Sequence, residues 1–117
     1  LSLFDRAEFD GQLSALPGVT FVDQWEARIA KVGGKVFCLL SDQAPLRLVF
    51  KCGEASFGIL TALDGVTQAA YFAKRQWVSV QQSSPLGDDE LHAYIGRSHA
   101  LVAAGLTKKL RAELGIG

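Results

Sequence analysis

The sequence predicts an α+β domain: an α/β sandwich in which an antiparallel β-sheet carries N-terminal and C-terminal helices on one face. Three observations predict it. Two strand-like runs, Ala27 to Val32 and Lys35 to Ser41, flank Gly33-Gly34 and read as a tight hairpin. Arg47 to Lys51 and Trp77 to Gln81 alternate apolar and polar residues, the period of half-buried strands. At both ends of the chain apolar residues recur at helical spacing, as Phe9, Leu13 and Leu16 and again as Leu91, Ile95 and Val102. With 117 residues, 49% of them hydrophobic, residues 1–117 form one domain with one core.

Each element follows from local chemistry. Ser2 is positioned to cap a first helix with Asp5 as its partner, and Pro17-Gly18 ends that helix. Val19 to Trp25 is extended, with Trp25 as a packing residue. Only glycine accepts the positive φ values of a primed two-residue turn without strain, so Gly33-Gly34 sets Val32 opposite Lys35. A regular ladder from that turn puts Arg28, Ala30, Val32, Lys35, Phe37 and Leu39 on one face, and Ala27, Ile29, Lys31, Val36, Cys38 and Leu40 on the other. Matching Leu48 and Phe50 to the second set leaves Arg47, Val49 and Lys51 with the first. The opposite register buries two unpaired cations, at a cost on the order of several kcal/mol each. Glu54 to Leu63 reads as a short helix ended by Asp64-Gly65. Asp88, Asp89 and Glu90 suit the positive end of a helix with stripe Leu91, Ile95, Ser98 and Val102. Thr107 caps a last helix with Leu106, Leu110 and Leu114 one turn apart.

The stretch Gly65 to Val80 holds the least generic residues: Tyr71, the pair Lys74-Arg75, and Trp77 opposite Val78 and Val80. Together with ALPGVT (residues 15–20), KVGGKVFCLL (31–40), RLVFKC (47–52) and LTKKLRAEL (106–114), it resembles the MmcQ/YjbR family of small bacterial proteins over nearly the whole chain. The resemblance rests on the order and spacing of these pieces. It implies a frataxin-like (CyaY-like) or double-wing α/β sandwich and a DNA-binding role. Family members often carry Asn-Lys-(Lys/Arg)-His-Trp before the last strand. Here Ala73 and Gln76 stand in place of the Asn and the His, so no role passes to those side chains.

Charge narrows the function classes. The 12 basic and 12 acidic residues cancel, so any attraction to a polyanion must come from a local patch. Cys38 and Cys52 lie in apolar runs without C-x-x-C spacing or a nearby histidine, which suits buried reduced thiols. His92 and His99, two helical turns apart, are separated by about 10 Å, too far to share one metal ion. The chain has no phosphate-binding glycine motif and no nucleophile elbow. No cofactor, metal or membrane association is expected, and a cytoplasmic monomer is.

The sequence therefore points to non-catalytic binding of nucleic acid, double-stranded DNA in the first place. Arg28, Lys35, Arg47 and Lys51 converge on the open sheet face, Lys74 and Arg75 stand at its edge, and Trp77 is the aromatic contact. Two other ligand classes fit the same residues. Val49, Phe37 and Trp77 form an apolar patch for a protein partner, rimmed by the cations. Alternatively, a pocket around Tyr71, Lys74 and Trp77 holds a small anionic ligand or substrate. The plainest alternative is that these charges only solvate a sheet face.

Overall fold

A computed structural model describes residues 2–117. In chain order the elements are α1 (Arg6–Leu13), β1 (Val19–Gln24), β2 (Ala27–Val32), β3 (Lys35–Ser41), β4 (Arg47–Lys51), α2 (Glu54–Thr61), β5 (Val66–Gln68), β6 (Trp77–Gln81), α3 (Asp88–Ala103) and α4 (Lys108–Glu113). The strands form one six-stranded antiparallel sheet in the order β1-β2-β3-β4-β6-β5. Helices pack on one face of it, as the sequence predicts.

The caps follow side-chain reach. Asp5, not Ser2, caps α1: its carboxylate accepts the Glu8 N–H at 3.2 Å, while the Ser2 hydroxyl accepts from Phe4. Thr107 caps α4 by accepting from Leu110 N–H. The β2–β3 turn holds Gly33 and Gly34 at φ +57° and +81°, with Val32 opposite Lys35. A Cβ on Gly33 would lie 2.6 Å from the Leu106 side chain, so the turn also needs glycine to let the chain ahead of α4 approach.

Beyond that turn the ladder departs from regularity. Lys31 pairs with Val36 but Ala30 pairs with Cys38, which leaves Phe37 as the extra residue of a β-bulge. One unpaired residue reverses the facing of β2 relative to the rest of β3. Arg28 and Ala30 consequently lie on the same face as Cys38, Leu40, Leu48, Phe50, Val78 and Val80, beneath the helices. Lys31 and Val36 turn to the opposite face. Phe37 itself is fully buried, edge-on to His99 of α3 with ring centroids 5.2 Å apart.

The core fills the helix-covered face. Phe9 of α1 meets Phe21 of β1, and Phe50 stacks on Tyr94 of α3 at 6.0 Å. Leu91, Ile95, Ser98 and Val102 are the buried stripe of α3, with His99 beside them. Ser98 closes the gap that the bulge opens: its hydroxyl accepts the Lys51 N–H at 2.8 Å and donates to the Phe37 carbonyl. It thereby substitutes for the ladder bond that β3 and β4 cannot make there.

Candidate functional site

The face away from the helices is formed by Thr20, Val22 and Gln24 of β1, Ala27, Ile29 and Lys31 of β2, Val36, Leu39 and Ser41 of β3, Arg47, Val49 and Lys51 of β4, Thr67 of β5, and Trp77, Ser79 and Gln81 of β6. Three of these strand positions are cations, Lys31, Arg47 and Lys51, and none is a carboxylate. The ion pairs among the described residues are Arg6–Asp23, Arg28–Asp10, Arg28–Asp23 and Arg75–Glu54, so these three cations and Lys74 take part in none of them. A groove of about 770 Å³ runs over this face, floored by Ala27, Val36, Leu39 and Val49, with Arg47 and Glu26 among its charged lining.

Three loops make the walls, β3–β4 contributing Gln43, Ala44 and Pro45 beside the β1–β2 turn and the β5–β6 loop. The β1–β2 turn places Trp25 and Glu26 at φ +54° and +57°, a primed turn built from residues that strain it by roughly 1–2 kcal/mol each. Trp25 is 70% exposed at the rim, where the sequence suggests a packing residue. Opposite chain segments come from the β5–β6 loop, where Tyr71 stands fully exposed at φ +68°. Gln68 holds that loop: its Oε1 accepts the Arg75 N–H at 2.9 Å and its Nε2 donates to the Ala69 carbonyl at 2.9 Å, with Phe72 and Ala73 carbonyls at 3.4 Å. Ala73 and Gln76 serve through their main chains, since the Gln76 carbonyl accepts from Cys52 and Gly53 and the Ala73 carbonyl from Gln76.

The structure separates the residues that the sequence brings together. Arg47, Lys51 and Trp77 do lie on the open face, and Lys74 is exposed in the β5–β6 loop. Arg28 is corrected to the helix-covered face. It is held by Asp10 through two contacts of 3.0 and 3.1 Å and by Asp23 at 3.5 Å; the Asp10 hydrogen bond is foremost in raising its pKa. Lys35, paired with Val32, follows it, and its Nζ lies near Gly105 at the end of α3. Phe37 is core. Arg75 turns to α2, 3.7 Å from Glu54 and over the Phe57 ring. Trp77 is only 8% exposed because Phe72 stacks on it at 4.4 Å. The cause of the first three corrections is the bulge. Residues that sequence reasoning missed are Lys31, Trp25 and Gln68; a tryptophan in a two-residue turn between alternating runs was the available signal for Trp25.

Burial pushes the Cys38 thiol far above its ordinary range, and Cys52 shifts in the same direction for the same reason. Neither is a nucleophile at neutral pH. Among the described residues no group of three or more His, Cys, Asp or Glu side chains could hold a metal ion, and no helix is long and apolar enough to cross a membrane.

The YjbR family model matches residues 14–101, three quarters of the chain. The chain belongs to the YjbR family. The crystal structure of DR2400 from Deinococcus radiodurans, which carries a DUF419 domain, superposes with a TM-score of 0.83 at 24% identity, covering 96% of this chain and 88% of that one. A protein from Pseudomonas syringae, target PsR293, gives 0.69 at 20% identity, with 83% and 97% covered. At these identities the two structures establish that the YjbR fold is shared. No curated protein matches the chain. The matched segment begins after α1, so Asp10, the partner of Arg28, lies outside the family model while the bulge, the groove and its loops lie inside.

Proposed function

We propose that this YjbR domain is a non-catalytic nucleic-acid-binding module and that its open sheet face meets the sugar-phosphate backbone. One observation carries the reading: the strand positions of that face hold Lys31, Arg47 and Lys51 without a carboxylate, in a chain whose charges cancel as a whole. Lys74 extends the cationic set into the β5–β6 loop. Cations free of ion-pair partners release counterions when phosphates replace solvent, and the free energy of that release falls with salt. Arg28 is held within the fold by Asp10 and Asp23, and Lys35 lies on the helix side of the sheet, outside this set.

The test is a titration of labelled DNA with the protein across a range of salt concentrations. Four cations predict a slope of log affinity on log salt near −3 to −4, at roughly −0.7 to −0.9 per phosphate. Alanine at Lys31, Arg47 or Lys51 should lower the slope by about one each. Absence of binding at low salt sinks the reading. The apolar floor of Val36, Leu39 and Val49 favours a second one, a small ligand with an apolar body and an anionic group held by Arg47. Saturable, salt-insensitive binding of such a compound would identify it.

A further inference from the structure

The nucleic-acid reading leaves two residues unexplained, Trp25 and Tyr71. Both are large aromatics exposed to solvent, both sit on left-handed backbone that asparagine or glycine would occupy more easily, and both line the same groove from separate loops. Exposed aromatics at one such position are unremarkable. Two converging on one groove, each against its own backbone preference, indicate a use for their ring faces.

Resting on that reading, we infer that the groove takes unpaired nucleotides, so that the partner is single-stranded nucleic acid rather than a duplex. In a duplex the base faces are stacked on one another and only edges, sugars and phosphates are presented. An indole and a phenol projecting from the rim then have nothing to stack upon. A single strand offers both parts that this surface complements: free π-faces for Trp25 and Tyr71, and a backbone for Arg47 beside them and for Lys31, Lys51 and Lys74 beyond. The groove floor is apolar, which suits a base better than a phosphate. Stacking tolerates any base, so little sequence preference is expected.

The experiment compares a labelled single-stranded oligothymidine of roughly 16 nucleotides with a duplex of equal length, on the native domain and on Trp25→Asn and Tyr71→Asn. Asparagine removes the ring and accepts the positive φ, so the variants should fold at least as well, as thermal unfolding would verify. The expected result is at least about tenfold tighter binding of the single strand, quenching of Trp25 fluorescence on binding, and loss of roughly five- to hundredfold affinity in each variant with the salt slope retained. Equal affinity for duplex and single strand, unchanged by both substitutions, overturns this inference and leaves the basic-face reading standing. Binding of neither overturns both.

Discussion

Replacing Trp25 by Asn and Glu26 by Gly should stabilise the protein while removing one wall of its groove. The β1–β2 turn holds both residues at positive φ, +54° and +57°, between the paired Gln24 and Ala27. Left-handed backbone costs an ordinary L-residue roughly 1–2 kcal/mol, which Asn largely and Gly wholly escapes. Against this, glycine adds unfolded-state entropy worth about 0.5–1 kcal/mol. Trp25, at 70% exposure, loses only a small part of the roughly 1.5–3 kcal/mol that full burial of a large apolar side chain gives. The balance is a gain of about 1 kcal/mol. In a domain of this size that corresponds to a rise in Tm of about 3–6 °C, readable by circular dichroism or calorimetry. A fall in Tm would refute the argument, because it would mean that Trp25 contributes packing larger than the strain it carries. A rise accompanied by lost single-strand affinity is the trade-off expected where strain is kept for function.

Three other perturbations test the scaffold. Phe50→Ala truncates a fully buried ring stacked on Tyr94 and should lower the unfolding free energy in denaturant by about 3–5 kcal/mol, whereas Arg47→Ala with Lys51→Ala should leave it within about 0.5 kcal/mol per site. Ser98→Ala orphans the Lys51 N–H and the Phe37 carbonyl and should cost about 2–4 kcal/mol, with faster amide exchange at Lys51 as the specific signature. Stability should also decline in alkali: Cys38 stays protonated in the folded state while the unfolded thiol ionises near pH 8.5, so its contribution is complete below that pH and shrinks by about 1.4 kcal/mol per unit above it. Cys38→Val should remove most of that dependence in unfolding curves at successive pH values, leaving the smaller contribution of Cys52.

The fold was legible because its signals are local. Gly33-Gly34 sets a turn, Val32 meets Lys35 as hairpin geometry requires, and the alternation of Leu48 and Phe50 against Arg47, Val49 and Lys51 survives intact in the sheet. The stripe Leu91, Ile95, Ser98 and Val102 is buried as its spacing implies. The three-residue β5 escaped notice because Val66 to Gln68 is too short to establish a period. The bulge escaped for a different reason. Its cause is tertiary: Phe37 is drawn toward His99 and its freed carbonyl is satisfied by Ser98, sixty-one residues away. No pattern within β3 announces a partner on α3.

That one residue of offset decides which cations are structural and which are available. Without it Arg28 and Lys35 would join Arg47 and Lys51 and concentrate the cations on one face, with Asp23 turning alongside Arg28, its direct partner across β1 and β2, and Asp10 of α1 left on the other side. With it, Arg28 is neutralised within the fold, and Lys31 takes its place on the open face at the strand end remote from Arg47. The cations are then spread along the sheet around an apolar, aromatic-rimmed groove instead of concentrated in it. A phosphate-only binder gains from concentration, since its affinity grows with each neutralised contact. A surface that must seat bases gains from the opposite arrangement, because the centre has to be dry enough for ring stacking and the charges need only track the backbone as it passes. The placement of Lys31, Arg47 and Lys51 around the floor of Val36, Leu39 and Val49 matches the second requirement.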